Sequence, residues 1–267
     1  MAEWTHPTMA QRTAQTSIAE KTWVEIGGVR QGMFLRARDA TSPVLLFVHG
    51  GPGMPEYFLD RTTHPTGLED DFVVCWWEQR GAGISSVGRV PRASLTVDRL
   101  VDDTIAVADH LRERFRQDKV YLLGHSWGSF LGIQAAAKAP ERFHAYVGMG
   151  QVAHQQRSEA LAYQYELAEF RRRGDARMVR ALEAAPVTPV APPPRAYMRI
   201  RDPAMHRLGV GTTRDMRSVI TGIFAQVWRT PDYTLREKIA IGRGKACAIA
   251  AGKRALHLNL DIGRGIA

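Results

Sequence analysis

Residues 22–37 alternate apolar and polar positions around Gly27 and Gly28, with Trp23, Val24 and Ile26 before the glycines and Met33 and Leu35 after them. Period-two alternation about a glycine pair predicts a β-hairpin. The next runs are of another kind. Val44 to Val48 is wholly apolar and stops at His49 and a glycine cluster, and Phe72 to Trp77 is a second such run, ending at Glu78. Short unbroken apolar runs predict strands covered on both faces, as in a parallel sheet. A loop or short helix around Tyr57 and Phe58 joins them. Val101, Ile105, Ala108, Leu111 and Phe115 then recur at three- and four-residue spacing, which predicts a helix from Thr96 to Arg116. Its charges agree with that direction: Asp98, Asp102 and Asp103 lie near the start and Arg112, Arg114 and Arg116 near the end, each complementing the helix dipole. A strand at Val120–Leu123, a helix from Ser126 to Lys138 stopped near Pro140, and a strand at Tyr146–Met149 follow. Strands alternating with helices predict an α/β fold with a doubly wound, mostly parallel sheet.

Beyond Gly150 the pattern becomes helical, at Ser158–Arg173, Ala176–Ala185 and Arg214–Arg229, with no comparable buried strand. The division expected is a core over 1–151, an inserted helical cap over 152–240 and an atypical basic tail over 241–267. Pro186, Pro189, Pro192, Pro193 and Pro194 predict a stiff extended connector between cap helices. Tyr163, Tyr165, Glu166 and Trp228 could line a substrate pocket or pack these helices, and packing is the favoured reading.

Composition narrows the class without naming a chemistry. At 267 residues, 45% hydrophobic and 24% charged, the chain is of ordinary globular make-up. No apolar run reaches the roughly 18 residues needed to span a bilayer, and the first twenty residues show no secretory signal. Two cysteines, Cys75 and Cys247, are too few for a disulfide framework. A soluble, cytoplasmic protein without a membrane partner is expected. The net charge of +9 could suggest nucleic acid, but seven Lys or Arg from Arg236 onward, against Glu237 and Asp261, place more than half of the excess in the last 32 residues. No basic stripe with interleaved aromatics runs through the rest, so no nucleic-acid partner is expected. Neither H-E-x-x-H nor G-x-x-x-x-G-K-[ST] occurs, and no metal or other cofactor is expected.

Gly124-His125-Ser126-Trp127-Gly128 fits G-x-S-x-G at the handover from a buried strand to a helix, the context of a nucleophile elbow. There a serine hydroxyl is lifted above the sheet, and side chains at the flanking glycines would collide with neighbouring backbone. Ser126 is therefore the candidate nucleophile. His49-Gly50-Gly51-Pro52-Gly53 follows the first parallel strand, at the sheet end where open α/β sheets place their sites. The backbone N–H groups of Gly51 and Trp127 are the candidate oxyanion hole. Glu78-Gln79-Arg80-Gly81-Ala82-Gly83-Ile84-Ser85 superficially resembles a dinucleotide fingerprint, but Ser86 stands at the third glycine position and no helical pattern follows. It reads as an ordered polar loop bordering the site. His125 reads as structural, because adjacent residues on a sharp elbow point apart.

Together HGGPG, EQRGAGIS and GHSWGS resemble the proline iminopeptidase group of α/β-hydrolases, over roughly residues 22–240. The resemblance implies an aminopeptidase removing an N-terminal proline from a small peptide or amide, with Ser126 attacking and a helical cap selecting the substrate. Glu78 stands where the family more often has Asp. In this fold the catalytic order is Ser, then Asp or Glu, then His, the last two following later strands. Those strands are not found: a strand, crossover and strand need roughly 30 residues or more, and only 17 remain from Ala251 to Ala267. His257 and Asp261 occur in the wrong order, so neither is named. The expectation is a C-terminally truncated or frame-altered family member with turnover near background and an exposed sheet edge that invites pairing with another chain. The alternatives are an esterase or amidase of the same fold, and a noncatalytic hydrolase-fold protein that uses its cleft for binding.

Overall fold

A computed structural model describes residues 16–63, 65–88, 90–211 and 216–242. The hairpin forms as β1 (Ile18–Ile26) and β2 (Val29–Ala37), turning at Gly27 and Gly28. The two apolar runs become β3 (Val44–Val48) and β4 (Val73–Trp77), in which every residue is buried. Between them lies α1 (Tyr57–Asp60). With β5 (Val120–His125) and β6 (Phe143–Met149) they make a six-stranded sheet in the order β1-β2-β4-β3-β5-β6. Pairs β1–β2 and β2–β4 are antiparallel, and β3 pairs in parallel with both β4 and β5, as β5 does with β6. This is the mostly parallel α/β sheet that the sequence predicts.

One face of the sheet is covered by α2 (Val97–Phe115) and α3 (Trp127–Lys138). Thr96 caps α2, its side-chain oxygen accepting from the Arg99 N–H, and Arg116 ends it in the left-handed region at φ 53°. Of the predicted stripe, Val101, Ala108 and Leu111 are buried and pack, together with Val107, in one cluster with Leu46, Val48, Cys75 and Trp77, whereas Ile105 and Phe115 are only partly buried against it. Burying a side chain such as Leu111 contributes roughly 1.5–3 kcal/mol.

On the other face Phe34, Phe47, Tyr57 and Trp76 gather with Met216, Ile223, Val227, Tyr233 and Ile241. The Phe34 and Tyr57 rings stack at 3.9 Å. The later chain thus returns across the sheet, with a π-helical turn at Ile220–Phe224 running into α7 (Ala225–Arg229) and a further helical run at 235–242. Helix α4 (Gln155–Arg172), α5 (Ala176–Glu183) and α6 (Arg195–Leu208) enclose a core of their own around Tyr163, Phe170, Leu182, Tyr197 and Leu208. The helices between 152 and 240 therefore fall into two packing sets, one of them on the sheet.

Differences from the sequence reading are local. Helix α6 was not expected, and it carries Pro203 in its interior. The proline-rich stretch 184–194 joins α5 to α6 without regular secondary structure. Tyr163 and Glu166 are buried as expected, whereas Tyr165 and Trp228 are about half exposed and pack no interior. At the edge strand β6, Val147 and Met149 are 53% and 45% exposed, so among the described residues that edge is open. The tail 243–267, with Cys247, His257 and Asp261, lies outside the described residues.

Candidate active site

Strands β3 and β5 are parallel neighbours in a register that sets Val48 opposite Gly124. The two segments that follow consequently leave the sheet side by side, His49-Gly50 next to His125-Ser126. From β3 the chain crosses to β4 on one side, and from β5 it crosses to β6 on the other, so this is the crevice where the strand order reverses. The approach is close enough that a Cβ placed on Gly50 would lie 3.4 Å from the Ser126 Cβ.

Ser126 is the residue between β5 and α3, and it has φ 50° and ψ −115°. A non-glycine residue held there costs about 1–3 kcal/mol and persists only when its surroundings over-determine it. Its N–H donates to the Met149 carbonyl at 2.8 Å, and its own carbonyl accepts from the Ser129 N–H at 2.9 Å and the Ser129 hydroxyl at 2.6 Å. Gly124 and Gly128 are required by contact: a Cβ on Gly128 would overlap the Val48 carbonyl oxygen, and one on Gly124 would come within 2.7 Å of the Ser129 Cα. Trp127 begins α3, so its N–H is among the donors that a helix start leaves without an intrahelical partner. Gly51 has φ 132°, in the range where only glycine avoids strain. The elbow serine and both candidate oxyanion donors thus belong to two segments brought together at one end of the sheet.

The nearby histidines are engaged elsewhere. His49 is buried and uses both ring nitrogens: Nδ1 lies 2.8 Å from the Gly50 carbonyl, and Nε2 accepts from the Gln79 N–H at 3.1 Å. That pattern fixes the neutral tautomer with the proton on Nδ1, and burial lowers its pKa. His125 Nδ1 lies 2.8 Å from each carboxylate oxygen of Glu56, and the hydrogen bond to Glu56 raises its pKa. Sequence reasoning missed Glu56, for which 69 residues of separation give no local signal.

The EQRGAGIS loop is ordered by buried polar contacts. Glu78 accepts from the Ile84 N–H at 2.5 Å and from the Tyr233 hydroxyl, and the Ser85 hydroxyl donates to the Glu78 carbonyl. Gln79 Nε2 donates to the His49 carbonyl at 2.7 Å. Arg80 pairs with Asp103 on α2 at 2.6 Å, both side chains 1% exposed. Burial pushes the Glu78 carboxyl up from 4.5 to about 7, against the hydrogen bonds from Tyr233 and Ile84 that favour the charge. The folded chain then holds this proton more tightly than the unfolded chain does. Stability should fall as pH rises from about 4.5 to about 7 by up to about 3 kcal/mol from this group, and level off above. Urea denaturation at pH 5 and pH 7.5 should show that fall, and Glu78→Gln should reduce it.

The chain belongs to the α/β-hydrolase fold family, whose model matches residues 43–190, more than half of its length. It is 38% identical over 158 residues to a probable aminopeptidase, YbaC, of Bacillus subtilis, covering 58% of this chain and 49% of that protein. It is 32% identical over 110 residues to a proline iminopeptidase of Clostridium botulinum, covering 39% of this chain and 33% of that one. The chain thus matches half or less of the length of these curated relatives. Among solved structures, epoxide hydrolase VrEH1 from Vigna radiata is similar at 26% identity, with a TM-score of 0.40 over 49% of this chain and 39% of the other. Among the described residues no group of acidic, histidine or cysteine side chains could hold a metal ion, and no helix is long and apolar enough to cross a membrane.

Proposed function

We propose that the chain is a serine-nucleophile hydrolase that removes an N-terminal residue from small peptides or amides, in the manner of a proline iminopeptidase. The observation that carries the reading is the strained positive-φ conformation of Ser126, φ 50° and ψ −115°, at a strand-to-helix junction beside a glycine loop. The peptidase names of the relatives supply the substrate class.

In the proposed reaction the Ser126 hydroxyl oxygen attacks the carbonyl carbon, and the carbonyl electron pair moves onto oxygen. The Gly51 and Trp127 N–H groups would stabilise that oxyanion, each worth about 3 kcal/mol of barrier. Collapse expels the amine and leaves an acyl-enzyme that water then hydrolyses. The serine proton must pass to a base and on to the leaving amine. Among the described residues no histidine is placed for that role, and neither the base nor the carboxylate that would orient it is assigned. In the proposed division, α4–α6 are the part of the 152–240 cap that selects the substrate.

A proline arylamide compared with a simple aryl ester, each with the parent chain and with Ser126→Ala, tests the reading. Whatever amide turnover the parent chain shows is expected to be lost in the variant, down to the uncatalysed rate. Ester hydrolysis without amide turnover would make the chain an esterase, and turnover indifferent to the substitution would remove Ser126 from the chemistry.

A further inference from the structure

We propose that Glu56 is a positioning residue that fastens the oxyanion loop to the nucleophile elbow through a shared carboxylate. The proposal rests on the reading of Ser126 and Gly51 given above. Glu56 lies just before α1, at the far end of the loop that begins with His49, and its side chain turns back across that loop. Oε1 accepts from the Gly50 N–H at 2.7 Å, and the same oxygen lies 2.8 Å from His125 Nδ1, as does Oε2. The carboxylate therefore joins the residue before Gly51 to the residue before Ser126. It is shielded, at 14% side-chain exposure against 33% for His125.

The consequence for the oxyanion hole follows from peptide geometry. The Gly50 carbonyl and the Gly51 N–H belong to one planar peptide unit and point in opposite directions. His49 Nδ1 holds that carbonyl at 2.8 Å, and Glu56 holds the N–H on the other side of the Gly50 Cα. With both ends of Gly50 tied, the direction of the Gly51 N–H is set, and His125 refers it to the elbow. Without Glu56 a loop containing Gly50, Gly51 and Gly53 regains the backbone freedom that glycine brings. The Ser126 conformation itself is held by Met149 and Ser129, so loss of Glu56 should disturb the relation between loop and serine and leave the fold in place. Charge agrees with the geometry, since hydrogen bonding to Glu56 favours the protonated ring of His125.

Glu56→Ala and Glu56→Gln, made in the full 267-residue chain, test this. Two readouts are needed: the rate of Ser126 labelling by a fluorophosphonate, and the NMR signals of the Gly50 and Ser126 amides with the titration of the His125 ring. Alanine is expected to slow labelling by about ten- to hundredfold, the scale of a displaced catalytic group, with the unfolding midpoint retained. Glutamine keeps an oxygen for the Gly50 N–H and should recover part of the rate. In both variants the His125 titration midpoint should fall, and in Glu56→Ala both amide signals should shift. A parent rate in Glu56→Ala overturns the proposal. If the parent itself does not label, the reading of Ser126 fails, and NMR decides alone: shifts at both amides support the clamp, whereas shifts confined to Gly50 overturn it. Should the alanine variant not fold, an unchanged rate and unchanged His125 midpoint in Glu56→Gln overturn it equally.

Discussion

Replacing Asp103 with alanine is expected to destabilise the chain by about 3–5 kcal/mol, the range for breaking a buried ion pair by removing one partner. Arg80 Nε and Nη2 approach the two oxygens of Asp103 at 2.6 and 2.8 Å. Neither side chain meets solvent to any useful extent. The same pair anchors a wider network. Gln31 Nε2 donates to Asp103 at 2.8 Å, Trp77 Nε1 donates to Gln31 at 3.0 Å, and Arg80 Nη2 reaches the Ile26 and Gly27 carbonyls at 3.1 Å each. Asp103→Ala would leave the guanidinium charged and buried with only neutral partners, and would free the β1–β2 turn, the exit of β4 and α2 from one another. Denaturant unfolding of the variant measures the cost. Arg80→Met combined with Asp103→Leu should recover only part of it, because an apolar pair removes the buried charge but leaves Gln31 Nε2 and the Gly27 carbonyl without these partners. A loss under 1 kcal/mol in the single variant would mean that water enters the network.

Gly128→Ala is the second substitution with a large expected effect. The added methyl would overlap the Val48 carbonyl oxygen and come within 2.7 Å of the His49 carbonyl oxygen, both of them backbone at the end of β3. No side-chain rotation relieves that, so α3 must move away from the sheet and carry Ser126 with it. A stability loss of about 1–3 kcal/mol is expected from overpacking. A fall of about a hundredfold in any Ser126 reaction should accompany it, since displacement of about 1 Å has that consequence. Gly132→Ala, one turn further along α3, provides the contrast. Its methyl would meet the Tyr146 ring at 2.8 Å, a side chain that can shift, and it should leave Ser126 where it is. Thermal melts of the two variants, read beside labelling of Ser126, separate the effects.

The contrast between these sites and α6 shows what the sequence could disclose. Strands β3 and β4 are unbroken apolar runs because helices and returning chain cover both faces, and α2 carries a 3.6-residue stripe because only one side is buried. Both patterns are local, and so is the elbow, where the glycines of G-x-S-x-G report backbone contacts with the end of β3. Helix α6 buries only Tyr197, Ala204 and Leu208 in fourteen residues, is rich in arginine and contains Pro203, so its period is faint and its strongest local signal argues against a helix. The return of residues 216–241 onto the sheet depends on partners such as Phe34 and Tyr57, far away in sequence. The same holds within the site. Ser126, Gly51 and Trp127 are legible as motif positions, whereas Glu56 and Asp103 acquire their roles only when the fold brings His125 and Arg80 to them.

The most direct test of Ser126 as the nucleophile is labelling of the purified 267-residue chain with a fluorophosphonate beside a Ser126→Ala control. Covalent labelling confined to Ser126 and lost in the control is the predicted result. Labelling that persists in Ser126→Ala, or a folded parent chain that takes up no label, would contradict it.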